Sequence, residues 1–333
     1  MALAFAGCAV PTAPAAEPAP AAAPAAEPAA PAAPAAEPAA AEPAAAETFK
    51  AAFITQALSN ESQAFSWKQL QQYCGEYGFE MDVFEGQNDV QNEAKAVSNC
   101  IAQGYDAIFL NPSDINGIVP SLMEAKEAGL VIGMFSSDLA PEYQQYRDFF
   151  CGVDDTMAGE TAGQAFMDQF PDGATVVEVG GQAGHDAQIK RHDGFVKATE
   201  GSNITMLDSQ NCNGWVTADA MAITEDFIVK YGDQIQGIFC HWDNGATGVI
   251  EALKNAGMSD VFVVAVDGCR AGYDQVKAGT QAVCIGQSFT NMAIKTLENA
   301  RAALTGGSYE AVNFIPLDVV TPDNVNTLPY PEW

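Results

Sequence analysis

Basic residues are scarce in this sequence. Of 333 residues, 14 are Lys or Arg and 43 are Asp or Glu, which gives a formal net charge of −29 at pH 7. Binding to nucleic acid or to an anionic lipid surface needs clustered Lys and Arg that neutralise phosphate groups. The charge balance therefore argues against both partners, and we interpret the acidic surface as a contribution to solubility.

Motifs for metal binding and catalysis are also missing. The eight cysteines include no Cys-x-x-Cys pair, and the three histidines have no third ligand at a spacing suited to zinc. No nucleophile–base pair is visible, and residues 180–184, GGQAG, lack the pattern of a phosphate-binding loop. We therefore expect no metal, no cofactor and no enzymatic activity. Cys240 and Cys284 lie in apolar runs, where we expect small buried hydrophobic residues.

The first 47 residues contain no core-forming pattern. They include five Glu and no Lys or Arg, and they are otherwise mainly Ala and Pro. Proline every few residues excludes helix and favours extended polyproline conformations. We therefore predict a disordered Pro/Ala/Glu tether over residues 9–47, which at about 3 Å per residue reaches on the order of 100 Å.

Residues 1–8, MALAFAGC, resemble the last part of a bacterial lipoprotein signal. Phe5-Ala6-Gly7-Cys8 is similar to a lipobox, but the positively charged start and most of the apolar core are missing. We expect the natural start to lie upstream. The resemblance implies lipidation of Cys8 and contact with the membrane through the lipid anchor only; the alternative is an ordinary cysteine. With Cys8 set aside, seven thiols remain, so at least one is unpaired.

From residue 48 onwards the chain alternates between short apolar segments and segments with helical spacing. In Val261–Gly268, VFVVAVDG, six consecutive apolar residues are too continuous for a half-exposed strand and predict one buried on both faces. Further strands are predicted at residues 51–55, 81–84, 107–110, 130–135, 149–153, 175–179, 204–208, 237–240 and 282–286. Alternation at this spacing predicts an α/β fold with two parallel, doubly wound sheets.

Polar and aromatic residues follow these strands, at the edge where open α/β sheets hold their ligands. Asp267, directly after the buried strand, either accepts hydrogen bonds from a ligand or caps the next helix, and its position alone leaves both open. Carboxylates and amides bond to hydroxyl groups, a guanidinium spans two oxygens, and an aromatic face covers the C–H face of a sugar ring. This combination of residue types suits a carbohydrate.

Three segments resemble the type 1 periplasmic binding proteins for pentoses and hexoses, and the resemblance extends from about Lys50 to Thr321. They are Leu110–Asp114 (LNPSD), Gly184–Phe195 (GHDAQIKRHDGF) and Phe239–Gly248 (FCHWDNGATG). The order and spacing of the segments carry the resemblance, since none is specific alone. With the polar residues after the strands, it implies this set of ligand-binding residues: Asn60, Asn111, Phe135, His185, Arg191, Trp215, Trp242, Asp243, Asp267 and Gln287.

The sequence departs from the pentose binders at three places. Phe135-Ser136 stands where they carry Asp-Arg, Trp242 replaces a usual Asn, and no aromatic pair follows Asn60. We therefore expect a pocket for a sugar or polyol other than ribose, with Phe135, Trp215 or Trp242 as walls.

The resemblance also implies the architecture. We expect two lobes joined by a three-strand hinge, the N-terminal lobe over residues 48–153 and 288–313 and the C-terminal lobe over residues 154–287 and 314–333. The function implied is an extracytoplasmic solute-binding protein that is anchored to the cell membrane as a lipoprotein. It would deliver a neutral sugar or polyol to an ABC transporter permease.

Other functions share this fold. A sensor would present the bound sugar to a membrane receptor, and gene neighbours would separate that role from import. The effector half of a transcription repressor would need a basic helix-turn-helix before the first strand, where this chain has the tether.

Overall fold

The computed structural model describes residues 47–333. The predicted lipoprotein signal, Cys8 and residues 9–46 of the tether lie outside the described residues. Within residues 47–333, no helix combines the length and the apolar composition that a membrane span requires.

Twelve strands and nine α-helices alternate along the described residues. The strands are β1 Phe49–Thr55, β2 Phe79–Glu85, β3 Ala107–Asn111, β4 Val131–Phe135, β5 Phe149–Gly152, β6 Ala174–Gln182, β7 Ile204–Cys212, β8 Gly237–Cys240, β9 Phe262–Asp267, β10 Val283–Gly286, β11 Val312–Phe314 and β12 Asp318–Val320. The helices are α1 Glu61–Tyr73, α2 Val90–Ala102, α3 Val119–Glu127, α4 Asp155–Gln169, α5 Asp186–Thr199, α6 Thr217–Tyr231, α7 Asp243–Asn255, α8 Arg270–Ala278 and α9 Phe289–Thr305. Short 3₁₀ turns cover Cys74–Tyr77, Pro141–Tyr146 and Gly232–Gln234.

The strands form two six-stranded sheets. The first has the order β11-β5-β4-β3-β1-β2 and the second has the order β12-β10-β9-β8-β6-β7. All pairs are parallel except the pair of β10 with β12. We call the first sheet with the helices packed on it the first lobe, and the second sheet with its helices the second lobe. The chain passes between the lobes three times, after β5, β10 and β11. Two doubly wound parallel sheets with a triple connection confirm the predicted fold class.

Each sheet is covered by helices on both faces because its strands are apolar on both faces. In β1, Phe53 belongs to the same buried core cluster as Leu297 of α9, whereas its neighbour Ile54, on the opposite face of the strand, belongs to the cluster that contains Leu122 of α3. All four side chains are at most 1% exposed. Burying a side chain of this size contributes roughly 1.5–3 kcal/mol, so continuous apolar strands are stable only between two layers of helices.

The apolar spacing of the sequence predicts helices over residues 65–77 and 115–128, and both begin at other residues in the structure because the polar contacts at a helix start are not visible as apolar spacing. Helix α1 begins four residues earlier than predicted, since the Asn60 side chain accepts the Ser62 N–H at 3.0 Å. Helix α3 begins later, since Asp114 accepts the N–H groups of Asn116 and Gly117 and holds a turn there. A side-chain cap thus sets the start of α1, whereas α3 has no side-chain cap and follows the turn that Asp114 holds.

The cysteines of the described region are free thiols. Cys74 is partly exposed, and the other six, Cys240 and Cys284 among them, are buried. Burial raises the pKa of most of these thiols, as for Cys151 and Cys212, each to about 12. Buried thiols with a raised pKa are unreactive and pack as small apolar side chains.

Candidate ligand-binding cleft

A cavity of about 370 Å³ lies between the two lobes, where the carboxyl ends of their parallel strands face each other. Eight of the ten sequence-predicted residues line it. The first lobe contributes Asn60 and Asn111, and the second lobe contributes His185, Arg191, Trp215, Trp242, Asp267 and Gln287. A cleft at the carboxyl ends of parallel strands is where this sheet topology places a ligand.

Asp267 ends β9 in a strained backbone conformation. Its φ angle is 138°, a region that L-residues rarely adopt, and Gly268 follows with φ 79°. The Asp267 side chain accepts a hydrogen bond from Gln287 Nε2 at 2.8 Å through Oδ1. Its Oδ2 has no donor among residues 47–333, and Asp267 lines the cavity. Such strain is typical of functional sites and persists only where the surroundings enforce it.

The helix-cap alternative for Asp267 is wrong. The residue at the N-cap of α8 is Cys269, and no side chain caps this helix. Asp267 instead belongs to the cavity wall, with 5% of its surface exposed. Burial raises its pKa to about 7; Arg191 opposes the shift, and the charge of Asp243 adds to it.

Asp243, a predicted ligand residue, lies behind the wall and outside the cavity lining. It is fully buried at the start of α7, where its Oδ2 accepts the N–H groups of Gly268 at 2.8 Å and Cys269 at 3.2 Å. Gln281 and the Cys284 thiol donate to the same carboxylate. With its oxygens occupied by protein donors, Asp243 fixes the strained turn that presents Asp267.

Phe135 is the other predicted residue that the structure does not bring into the cavity. Its ring is completely buried in the first-lobe core, in an edge-on contact with Phe53 at 5.4 Å between ring centroids. The following residue, Ser136, lines the cavity instead, with a φ of 62°. The strand ends at Phe135, and the positive φ of Ser136 turns the chain there, so the side chain of Phe135 lies in the core while Ser136 lines the cavity.

Arg191 is held by the second lobe from two directions. Its Nε donates to Asp155 at 2.8 Å, and its Nη1 donates to the main-chain oxygen of His241. The guanidinium carbon lies 5.8 Å from the ring centroid of Trp215. Arg191 is 2% exposed and lines the cavity, and its Nη2 has no protein acceptor among the described residues. This leaves one planar, pre-oriented donor for a ligand oxygen.

His185 connects the two lobes across the cleft. It is the N-cap of α5, and its Nδ1 accepts the N–H of Ala187 at 3.2 Å, so the proton of the neutral ring is on Nε2. Nε2 then donates to Asn111 Oδ1 of the first lobe at 2.9 Å. Burial, with the positive charges of Arg191 and Lys190, lowers the pKa of His185 to about 3. A permanently neutral ring is consistent with this hydrogen bond.

The aromatic part of the second-lobe wall consists of Trp215 and Trp242. Their rings meet edge to face with centroids 5.5 Å apart, and His185 contacts Trp215 in the same way at 5.2 Å. A Cβ at Gly181 would lie 2.1 Å from the Trp215 ring, so only glycine fits there. The Trp242 Nε1–H is buried without a partner among the described residues. A buried donor of this kind calls for an acceptor that the described residues do not supply.

Several cavity residues were not predicted from the sequence. In the first lobe they include Gln63, Asn88 and Ser136; Asn88, like Ser136, has a positive φ, here 57°. Both follow strands, so the strand-end signal could have found them. Trp333 also lines the cavity, and no strand or motif precedes it that would have indicated this role.

The sequence also matches known proteins. A family model described as a periplasmic binding protein domain matches residues 51–308. The chain is 26% identical over 270 residues to the ribose import binding protein of Escherichia coli, covering 81% of this chain and 89% of the relative. It is 28% identical over 248 residues to the xylitol-binding protein of Mycolicibacterium smegmatis, covering 72% of this chain and 68% of the relative.

The structure has similar neighbours. A crystal structure described as a galactofuranose binding protein superposes with a TM-score of 0.78 at 22% sequence identity. The match covers 84% of this chain and 96% of the other. At this identity the likeness supports the fold, two lobes around a cleft.

Proposed function

Since this chain belongs to the periplasmic binding protein family, we propose that it captures a neutral sugar or polyol in the cleft and delivers it to the permease of an ABC importer. The family consists of extracytoplasmic binding proteins, so the chain binds a solute and is not an enzyme. The import role in the name of the Escherichia coli relative supports delivery over presentation to a sensor.

The observation that carries the proposal is the combination of polar groups without a protein partner on residues that line one small cavity. Asp267 Oδ2 offers a charged acceptor, Arg191 Nη2 a charged donor and Trp242 Nε1 a neutral donor. Hydroxyl groups both donate and accept, so adjacent hydroxyls can satisfy all three. The rings of Trp215 and Trp242 supply apolar faces for C–H groups.

The charge balance of the cleft favours a neutral ligand. Arg191 is already paired with the buried Asp155 at 2.8 Å, so its positive charge is compensated within the protein. An anionic ligand would then lie beside Asp267 without an unpaired cation to offset the repulsion. A neutral polyhydroxy compound avoids that penalty.

A thermal-shift screen, followed by calorimetry of each hit, tests the ligand class. The probes are D-ribose, D-galactose, xylitol and myo-inositol, with L-alanine and inorganic phosphate as controls. A ligand at 100 times its dissociation constant adds about 2.7 kcal/mol of stability. We expect at least one sugar or polyol to produce a shift of this size. A shift with phosphate or alanine alone would contradict the proposal.

The two lobes are proposed to close on the ligand by motion at the three connections. Small-angle scattering at saturating ligand should therefore give a smaller radius of gyration than scattering without ligand. Identical profiles would remove closure from the proposed mechanism.

We further propose that Cys8 is lipidated and that residues 9–47 hold the binding domain away from the membrane. Deletion of residues 1–47 should leave folding and affinity unchanged, because β1 begins at Phe49. Cys8→Ala should move the protein from the membrane fraction to the soluble extracytoplasmic fraction. Unchanged membrane association of Cys8→Ala would contradict lipidation.

A further inference from the structure

Trp333 places an aromatic ring at the cavity from outside the strand-end loops. The ring stacks on Phe65 of α1, with centroids 5.7 Å apart and an interplanar angle of 15°. It meets Phe289 of α9 edge to face, with centroids 5.3 Å apart. Phe65 and Phe289 are buried in the first-lobe core. Both Trp333 and Phe289 line the cavity. We call the rings of Phe65 and Phe289, on which Trp333 packs, the first-lobe seat of Trp333.

The main chain that carries the ring is fixed to the second lobe. The main-chain oxygen of Trp333 accepts the Arg270 N–H at the start of α8, at 2.6 Å. The Tyr330 hydroxyl donates to Asp274 of α8 at 2.9 Å, and its ring lies 4.6 Å from the Lys277 ammonium. The main chain of residues 330–333 is therefore bound to the second lobe, whereas the Trp333 side chain packs on the first lobe.

The anchor limits how far the ring can follow the first lobe. Trp333 lies three positions after Tyr330, and three extended residues span at most about 11 Å. The hydrogen bond to Arg270 restricts the main chain of Trp333 further. The ring can therefore occupy its seat on Phe65 and Phe289 only while the lobes are close together.

The remaining first-lobe wall lacks an aromatic residue near this position. Asn60 is followed by Glu61, Ser62 and Gln63, which are all polar and all line the cavity. Trp333 and Phe289 thus supply the apolar surface that this stretch does not. Trp333 also lies outside residues 51–308, the range that the family model matches.

We propose that Trp333 is a specificity-determining wall of the cleft, carried by the second lobe and inserted into the first lobe on closure. The contact with ligand rests on the proposed function, whereas the seating of the ring on the first lobe does not. Closure would complete the wall, because the ring reaches its seat only then. The ligand would be enclosed by aromatic residues of both lobes.

Calorimetry with D-ribose, D-galactose, xylitol and myo-inositol tests the ligand contact. For every probe that the wild type binds, Trp333→Ala should weaken binding by about tenfold, the loss expected for an aromatic wall. Trp333→Phe should retain most of the affinity. Trp67→Phe is the control, because Trp67 packs on the first-lobe core and does not line the cavity. Equal affinities of wild type and Trp333→Ala would overturn the proposal.

Tyr330→Ala tests whether the contacts of Tyr330 with α8 position the Trp333 ring. Tyr330 is exposed and does not line the cavity, so a role in local packing alone would leave affinity unchanged. If the anchor positions Trp333, this variant should lose affinity in the same direction as Trp333→Ala, by about threefold or more. Wild-type affinity in Tyr330→Ala would contradict the anchor.

Fluorine NMR of protein labelled with 5-fluorotryptophan tests the contact of Trp333 with Phe65 and Phe289 directly. Trp333→Phe assigns the Trp333 resonance, and the Trp67 resonance is the internal reference. We expect the Trp333 resonance of the wild type to move away from the position of free 5-fluorotryptophan when a binding probe closes the lobes, and to move less in Tyr330→Ala, while the Trp67 resonance stays in place. A Trp333 resonance that does not respond to a bound probe would overturn the proposal. If no probe binds, the proposed function fails for these ligands, and a Trp333 resonance that is identical in unliganded wild type and Tyr330→Ala would overturn the proposal as well.

Discussion

The two walls of the cleft differ in charge and in how their polar groups are held. The second-lobe wall carries Arg191 and Asp267, both at most 5% exposed and both fixed by protein hydrogen bonds. The first-lobe wall is built mainly from amides and hydroxyls, such as Asn111 and Ser136, and it also includes the exposed Glu61. Fixed charges in a dry site contribute more to binding than neutral groups do. We infer that the second lobe supplies most of the affinity and that the first lobe closes over the ligand.

Each lobe also has one buried Arg–Asp pair, and the comparison between them separates stability from binding. In the second lobe Arg191 pairs with Asp155 at 2.8 Å and lines the cavity. In the first lobe Arg147 pairs with Asp138 at 2.5 Å, and neither residue lines it. All four side chains are at most 5% exposed. Because the two pairs are similarly buried but only Arg191 lines the cavity, mutation of each pair separates an effect on stability from an effect on binding.

The largest effect is expected for Arg191→Ala. Removal of one partner of a buried pair costs about 3–5 kcal/mol of stability, because the other charge stays buried alone. The cleft also loses its charged donor, so we expect sugar binding to disappear. Arg147→Ala should lose similar stability and retain most of its affinity under folding conditions. Urea unfolding and calorimetry on both variants measure the two effects, and equal loss of binding in both would contradict the difference between the walls.

A smaller effect is expected for Asp243→Ala, which acts on the second-lobe wall from behind. The N–H groups of Gly268 and Cys269 would lose their acceptor, and each unsatisfied buried donor costs about 1–3 kcal/mol. Affinity should fall as well, since the strained turn at Asp267 would relax. Asp243→Asn keeps the volume and one acceptor oxygen and should be milder in both respects. Intact stability in Asp243→Ala, measured by thermal unfolding, would remove this support role.

The smallest predicted effect is a pH dependence of binding that comes from Asp267 alone. Burial raises the pKa of Asp267 to about 7 in the free protein, and a hydroxyl that donates to the carboxylate would lower it in the complex. Affinity should therefore fall as pH decreases below 7, by at most about tenfold per pH unit. Glu93 and Asp186 also have raised pKa values, of about 7 and about 6, but neither lines the cavity. Asp267→Asn should flatten the profile.

The stability of the unliganded protein should change with pH in the opposite direction. The folded pKa of Asp267 lies above the unfolded value of about 3.9, so its protonated form favours folding. That contribution is complete below pH 4 and is lost as pH rises towards 7. Urea unfolding of wild type and Asp267→Asn across this range measures it. A difference between them that does not change with pH would contradict the raised pKa.

Many cleft residues could be predicted because they directly follow strands, and strands are visible in the sequence. Strand ends are visible as apolar runs that stop, and residues after them, such as Asn111 and Asp267, meet at one edge of a parallel sheet. The predicted set was less accurate where one residue decides between cavity and core. Phe135 and Ser136 are neighbours, and the end of β4 directs the first into the core and the second into the cavity.

Other features depend on contacts between distant residues. In the sequence, Asp243 and Asp267 look alike, because each is an acidic residue that follows a strand. The hydrogen bonds that Asp243 accepts from Gly268 and Cys269 show that Asp243 supports the cavity wall from behind, whereas Asp267 is part of that wall. Trp333 reaches the cavity through packing on Phe65, 268 positions earlier in the numbering. Local periodicity contains no information about such contacts, so only the folded arrangement reveals them.

Calorimetry on a pair of alanine variants, Asp267→Ala and Asn111→Ala, tests the central claim most directly. Both residues line the cleft and are at most 5% exposed, one on each wall. A lost charge-assisted hydrogen bond costs roughly 1.5–3 kcal/mol and a lost neutral one roughly 0.5–1.5 kcal/mol. For the sugar or polyol found in the screen, we therefore predict at least about a tenfold loss of affinity in Asp267→Ala and a smaller loss in Asn111→Ala. Wild-type affinity in Asp267→Ala, or a larger loss in Asn111→Ala, would contradict the account.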